Sequence, residues 1–208
     1  MPSAAEILAG LGAIANERMA VAVGWHVALA AAVAGVLVGW RPSLRTARVG
    51  LAVLAGSVAA WAWVYANPFN GIAFGLLALL LLAGAFRGTG GSAAATTSAA
   101  HWLGAVLIGF GWVYPHFLVS QPLLAYVIAA PTGLIPCPTL SVLTGFALVS
   151  RDLIPRSMAL TLAGYGVFYS LFGALRLGVW LDAGLLIGAV ALMATAWRSD
   201  YRGSGSNT

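Results

Sequence analysis

The stretch that decides the fold is residues 122–150, PLLAYVIAAPTGLIPCPTLSVLTGFALVS, which is apolar throughout yet carries four prolines. As one straight helix its 29 residues would extend about 43 Å, longer than the ~30 Å hydrocarbon core of a bilayer. Proline removes a backbone donor and collides with the preceding turn. The sequence therefore predicts a break with non-helical backbone over residues 131–138. Because such backbone is tolerated at membrane depth only inside protein or beside water, the break is the predicted functional locus.

The composition predicts a membrane protein. Hydrophobic residues make up 61% of the chain and charged residues 7%, where soluble domains have about 25% charged residues. At about 20 residues per span, 208 residues hold six or seven helices and little else. We expect an all-α polytopic transmembrane bundle of about seven spans, with six as the alternative and the fifth span broken by prolines.

The predicted order of elements starts with a short interfacial helix within residues 1–18, because Ser3 and Glu6 have the spacing of a capping box. A single transmembrane domain follows over residues 19–197, with a flexible Gly/Ser/Thr/Ala-rich cytoplasmic connection at 87–100. Residues 198–208 form a disordered cytoplasmic tail. The seven predicted spans are residues 19–40, 49–66, 71–86, 101–117, 122–150, 157–175 and 183–197.

Charge placement predicts the orientation. All ten basic residues are arginines, and they lie between apolar runs, which is typical of membrane topology and not of a basic nucleic-acid groove. Seven spans put Arg18 and Arg176 on one side and eight arginines on the other. These eight are Arg41, Arg45, Arg48, Arg87, Arg151, Arg156, Arg198 and Arg202. We predict a bacterial inner-membrane protein with its N-terminus outside and its C-terminus cytoplasmic.

The break supplies the candidate substrate pathway. In transporters with discontinuous helices, unpaired carbonyls and the positive end of the next half-helix face a cavity. Side chains of the break could add oxygen or sulfur ligands to such a pathway. The candidate pathway residues are Thr132, Pro136, Cys137, Pro138, Thr139 and Ser141. A proline-kinked helix packed against its neighbours, with Cys137 as a small core residue, is the alternative.

A second set of polar residues is predicted at the outer mouth. Asp182 directly precedes the last span, where a carboxylate caps free amide donors. A protonatable gate is the alternative for this residue. The outer-mouth set comprises His26, Tyr114, His116, Arg176 and Asp182.

Metal and haem binding have weak sequence support. Cys137 is the one cysteine of the chain, so a soft-metal site there lacks further thiolates. His26 and His116 could hold a haem iron axially, but an interfacial histidine with one wet ring edge is the simpler interpretation. We expect no metal and no cofactor.

Three function hypotheses follow. No span carries an ionisable group near its midpoint, which argues against a proton pump, and no catalytic motif is visible. The leading hypothesis is a small-solute permease or channel-like protein. The alternatives are a non-catalytic scaffold or accessory subunit and a haem or metal redox protein. Expected partners are the lipid bilayer and other membrane proteins or a second copy of the chain, and not nucleic acid.

A resemblance supports the membrane assignment. The run Gly133-Leu-Ile-Pro-Cys-Pro-Thr139, after Tyr114-Pro115, resembles a family of uncharacterised bacterial polytopic membrane proteins with a Pro-Cys-Pro-Thr signature. Asn67-Pro68 is similar to that family's early Asn-Pro turn, and residues 177–186 are similar to its closing Leu-Gly-Val-x-x-Asp pattern. The resemblance implies a membrane-embedded fold and no particular activity.

Overall fold

The chain is helical throughout the part that the structure describes. A computed structural model describes residues 3–40, 42–87, 98–119, 121–150 and 154–204, and within these ranges it contains helices and turns but no strand. Arg41, Arg151, residues 88–97 of the predicted flexible connection and the end of the predicted tail, 205–208, lie outside the described residues.

The helices follow the predicted order. They are α1 (Ala4–Glu17), α2 (Met19–Leu37), α3 (Leu44–Val64), α4 (Pro68–Phe86), α5 (Ser98–Val113), α6 (Ala125–Ala129), α7 (Pro136–Val149), α8 (Arg156–Leu171) and α9 (Ala183–Ser204). A π-helix, Phe172–Arg176, continues α8, and a 3₁₀ turn, Trp180–Asp182, precedes α9.

Within the described ranges, four helices are long and apolar enough to cross a membrane. They are Leu44–Val64, Pro68–Phe86, Arg156–Arg176 and Trp180–Trp197. A fifth span results if Ala4–Glu17 and Met19–Gly35, which meet at 69°, are counted as one. The α5 helix has 16 residues and extends about 24 Å, less than the ~30 Å core. The all-helical class is therefore confirmed, with four to five candidate membrane spans, and seven spans stay a prediction.

The start of the chain folds as its capping residues predict. The Ser3 side chain accepts a hydrogen bond from the Glu6 amide, and the Glu6 carboxylate accepts one from the Ser3 amide, so the predicted capping box is present. At the bend after α1, the Tyr65 hydroxyl donates to Glu17 over 2.7 Å and accepts from Arg18 Nε over 3.0 Å. The bond to Glu17 raises the pKa of Tyr65 above its ordinary value. This cluster fixes the α1–α2 bend against the turn after α3.

The predicted gap between the first two spans, residues 41–48, is shorter than expected. Ser43 caps α3 by accepting a hydrogen bond from the Thr46 amide, so helix begins at Leu44 and not at residue 49. Arg45 and Arg48 therefore lie in its first turns, and Arg48 is buried, with Nη1 donating to the Gly84 carbonyl over 2.7 Å. The prediction that Arg45 and Arg48 lie before the second span, 49–66, was wrong because arginine is a good helix former and Ser43 supplies the cap.

The end of the chain is also more helical than predicted. The α9 helix continues to Ser204, so the backbone of residues 198–204 is helical where a disordered tail was predicted. No glycine or proline interrupts the chain between Ile187 and Arg202 except Gly188, which explains why helix propagates past Trp197.

Backbone contacts divide the chain into two compact units. Unit 1 comprises Met1–Gly88 with Phe110–Thr139, and unit 2 comprises Thr89–Gly109 with Leu140–Thr208. In unit 1, α3 packs along α4, with Val58 and Phe74 fully buried. In unit 2, α8 packs along α9, where Gly166 lies against Ala189. The candidate residues are therefore distributed over two separately packed bodies.

Candidate functional site

Six residues between α6 and α7 have no helical backbone. Residues 130–135, called the connection below, form hydrogen-bonded turns in which Thr132 N donates to Ala130 O over 2.7 Å and Leu134 N to Pro131 O over 3.1 Å. Gly133 has φ +78, a left-handed conformation that glycine adopts without cost. Pro131 and Gly133 together thus turn the chain between the two helices.

The last two prolines of the predicted break lie inside a helix. Pro136 is the first residue of α7 and Pro138 is in its first turn, where an amide donor would have no helical acceptor in any case. The predicted non-helical backbone of residues 131–138 was therefore wrong for 136–138 and ends at Ile135. The prolines start the second helix and do not interrupt it.

Thr139 fixes the connection to α7. Its Oγ1 accepts a hydrogen bond from Gly133 N over 2.9 Å and donates to Ile135 O over 2.7 Å, and the side chain is fully buried. A single hydroxyl thus accepts from one backbone amide of the connection and donates to one of its carbonyls. This is the local reason that the backbone can stay irregular in an apolar interior.

Two side chains from elsewhere in unit 1 lie within hydrogen-bond distance of backbone carbonyls at the end of α5. The α5 helix ends at Val113, so the carbonyls of its last turn have no helical donors. Thr132 Oγ1 donates to Gly111 O over 2.5 Å, and His26 Nε2 lies 2.8 Å from Trp112 O. We call these two carbonyls with His26 and Thr132 the α5 cap cluster.

His26 is buried and not interfacial. Its side chain is 4% exposed, its Nδ1 lies 2.8 Å from Ala22 O, and its ring meets the Trp112 ring edge-on at 5.0 Å. Because both ring nitrogens face carbonyl oxygens, neither is available for an iron atom. The prediction of a wet outer-mouth histidine was wrong because α5 and α2 bury this ring.

Two tryptophans enclose the connection. The Trp25 indole packs on Gly133, where a Cβ atom would collide with it, and Trp25 Nε1 donates to Ser57 Oγ over 3.0 Å. Trp112 Nε1 donates to Val127 O of α6 over 2.8 Å. Both indole donors are thus bonded within unit 1, and Gly133 is needed for space as well as for its backbone angle.

Cys137 belongs to an apolar cluster. It is partly buried and packs with Tyr114, Leu118 and Tyr126. Across the described residues, no three His, Cys, Asp or Glu side chains come together in a way that could hold a metal ion. The position of Cys137 agrees with the core-residue alternative.

The remaining unit 1 candidates pack together after α5. Tyr114 is fully buried, with its ring edge-on to Phe110 at 5.4 Å, and His116 meets Phe117 at 4.3 Å. Partial burial lowers the pKa of His116 below its ordinary value. Asn16 ties this segment to α1, since its Nδ2 donates to Phe117 O and its Oδ1 accepts from Val119 N. Tyr114 is therefore a core residue and not an exposed mouth residue.

The other candidates lie in unit 2. Ser141 is fully buried in α7, and Arg176 is exposed at the end of the π-helix. Asp182 is 2% exposed and lies against Gly173, and its carbonyl accepts from Ser170 Oγ over 2.7 Å. It directly precedes α9, as predicted, but is buried. The structure thus brings together His26, Thr132 and Thr139 in one unit and places Ser141, Arg176 and Asp182 in the other.

Sequence reasoning missed several buried or partly buried polar side chains. Asn16 bonds to Phe117 O and Val119 N, Arg48 donates to Gly84 O, and Asn67 Oδ1 caps α4 by accepting from the Asn70 amide. Asn16 directly follows the buried residues Ile14 and Ala15 of α1, and a polar residue at that position was the signal that could have identified it. No protein-family model, curated protein or solved structure matches this chain.

Proposed function

We propose that this protein is a multi-pass bacterial inner-membrane protein that carries a small polar solute along a route past the connection in unit 1. The observation that supports the proposal is the α5 cap cluster together with Thr139. Two hydroxyls, one imidazole and several carbonyls lie buried among apolar helices. Polar groups are costly within a bilayer, so their concentration marks a functional region.

The route requires these groups to exchange partners. In the observed arrangement Thr132 is bonded to Gly111 and Thr139 to Gly133 and Ile135. A solute with hydroxyl or amide groups offers the same hydrogen bonds, so it replaces the internal partners at small cost. Gly133, which has no side chain to reorient, is the natural pivot for that exchange.

The proposal includes the finer topology. In this arrangement α5 and the pair α6–α7 add crossings to the four or five candidate spans, and the connection interrupts the fifth of seven. The N-terminus is outside and the C-terminus cytoplasmic, as the arginine distribution indicates. Irregular backbone at membrane depth must be surrounded by protein or water. Short helices on either side of the connection suit this requirement, because they leave the connection inside the bundle.

Flux through proteoliposomes tests the transport proposal. With Thr132→Val, which removes the hydroxyl and keeps the shape, solute flux should fall about tenfold, the equivalent of one hydrogen bond of ~1.4 kcal/mol. Osmotic swelling with urea and glycerol as probes measures this. Thr161→Val is the matched control, because Thr161 Oγ1 makes an ordinary bond to Ser157 O in α8. Wild-type flux equal to that of protein-free liposomes would reject the permease.

Cysteine accessibility tests the orientation. After Cys137→Ser, cysteines are placed at Ala66 and Arg87, which are exposed next to opposite ends of α4. A membrane-impermeant maleimide should label the first in intact cells and the second only after permeabilisation. The reverse pattern would overturn the arginine-based topology.

An accessory subunit is the second candidate. The observation in its favour is that His26, Thr132 and Thr139 already have hydrogen-bond partners within the chain, which suits a rigid structural core. Purification in a gentle detergent separates the two functions. A stoichiometric membrane-protein partner together with absent flux supports the accessory role, whereas a homogeneous protein with flux supports the permease.

A further inference from the structure

We infer that one end of the α3–α4 pair binds the phosphate group of an anionic phospholipid through Arg45 and Arg87. This end, where α3 begins and α4 ends, is called the arginine end below. The inference rests on the packing of these two helices within unit 1 and does not depend on the proposed transport function.

Helix packing brings the two arginines to the same end of the pair. The α3 helix packs along α4, and residues 65–67 connect them. The Arg45 guanidinium lies over the Phe86 ring, 4.5 Å from its centre, and Arg48 Nη1 donates to Gly84 O over 2.7 Å. Both contacts join the first two turns of α3 to the last turn of α4. Arg87 directly follows Phe86 and is exposed, so it lies at the arginine end together with Arg45.

The helix termini at this end favour an anion. The last carbonyls of α4 carry a partial negative charge, which would repel a phosphate, whereas the first amides of α3 carry a partial positive charge. The buried Arg48 donates to the Gly84 carbonyl and so offsets the charge of the α4 terminus. The exposed cations Arg45 and Arg87 are therefore added to a positive helix terminus and not to a negative one.

Within the described ranges, carboxylates have other positions and partners. Glu17 accepts from Tyr65, which follows the opposite end of α3. The 21 residues of α3 extend about 31 Å, beyond the range of an exposed charge pair. Glu6 is bonded to Ser3, and Asp182 belongs to unit 2. An external anion is thus the natural partner of Arg45 and Arg87.

The guanidinium of Arg45 is well placed to bind phosphate. Its contact with Phe86 uses the face of the planar group, and the N–H donors lie along the edge of that plane. These donors match two phosphate oxygens in a bidentate arrangement. The ring also restrains an exposed, flexible side chain, which lowers the entropy lost on binding.

Exposed apolar side chains indicate a lipid and not free phosphate. Leu79, Leu82 and Phe86 are exposed, and their spacing of three and four residues places them along one side of α4. Trp40, three residues before the Ser43 cap, is also exposed, and tryptophan is typical of the headgroup level of a bilayer. An acyl chain covers such an apolar face while its phosphate reaches the arginines. Inorganic phosphate would use the arginines alone.

Native mass spectrometry of retained lipids tests the inference. The full chain is released from nanodiscs that contain phosphatidylcholine and phosphatidylglycerol, and we expect it to retain phosphatidylglycerol preferentially. Arg45→Gln/Arg87→Gln should weaken this retention roughly 30-fold, the effect of two surface charges. Both side chains are exposed and glutamine is a good helix former, so the fold should persist. Equal retention of the two lipids by the wild-type protein would overturn the inference.

Two further variants and a competing anion identify what is bound. Arg45→Lys/Arg87→Lys keeps both charges and should restore most of the retention, whereas a loss as large as that of the glutamine variant would contradict charge recognition of a phosphate. Arg176→Gln removes an exposed arginine from unit 2 and should retain phosphatidylglycerol as the wild type does. An equal loss in Arg176→Gln, or displacement of the lipid by excess inorganic phosphate, would overturn a lipid site at the arginine end.

Discussion

Replacing Gly133 with alanine is expected to lower the free energy of unfolding by about 2–5 kcal/mol. Two costs add. A non-glycine residue in the left-handed region costs about 1–2 kcal/mol, and the φ of Gly133 is +78. Its Cβ would also collide with the Trp25 indole, and overpacking of this kind costs about 1–3 kcal/mol. Unfolding in mixed micelles by increasing denaturing detergent measures the loss.

Gly178→Ala separates the two costs. Gly178 has a similar φ of +74, but no atom lies within 4 Å of the position of its Cβ. It should therefore show only the backbone cost of about 1–2 kcal/mol. Equal destabilisation by both substitutions would show that Trp25 does not pack on the connection as the structure places it.

Replacing Thr139 with valine is expected to cost about 1–3 kcal/mol, because the buried Gly133 amide loses its acceptor. Valine keeps the shape of threonine, so the loss reports on the hydroxyl that bridges Gly133 N and Ile135 O. The Ile135 carbonyl loses a donor at the same time. The same detergent titration measures this change in the free energy of unfolding.

The matched control is Thr161→Val. Thr161 is only partly buried, and its hydroxyl donates to the carbonyl of Ser157, four residues earlier in its own helix. Removing that bond should change stability by no more than about 0.5 kcal/mol. If Thr139→Val were as mild as Thr161→Val, the hydroxyl of Thr139 would not hold the connection.

Helix positions were predictable from the sequence because apolar runs and capping residues act locally. The capping box of Ser3 and Glu6 is present, whereas α4 begins at Pro68, ahead of the predicted span start at residue 71. The 122–150 segment contains two helices, α6 and α7, with residues 130–135 between them, whereas a fifth membrane span broken by prolines stays a prediction. The number of membrane crossings could not be predicted from the sequence. It depends on the lengths of α5 and α7, and tertiary packing determines where each of these helices ends.

The location of the break was less predictable than its existence. Four prolines indicate that a helix cannot be continuous, but they do not say which ones begin a helix. Pro136 and Pro138 fit the first turn of α7, and only tertiary partners, Thr139 and Trp25, favour the turn at Gly133. Propensity alone carries no information about such contacts.

The candidate site was predictable only in part. Thr132 and Thr139 were identified because they lie in the break, and both make buried hydrogen bonds there. The role of His26 was not predictable, since its partner carbonyl belongs to Trp112, 86 residues away in the chain. Cys137 attracted attention as the single cysteine, yet it packs in an apolar cluster.

Backbone NMR of residues 125–149 in nanodiscs tests the central claim, the buried hydrogen-bonded connection between α6 and α7, most directly. We predict helical chemical shifts over Ala125–Ala129 and Pro136–Val149, non-helical shifts over residues 130–135, and slow exchange of the Gly133 amide because Thr139 Oγ1 accepts its hydrogen bond. Continuous helical shifts through residues 130–135, or a rapidly exchanging Gly133 amide, would contradict the account.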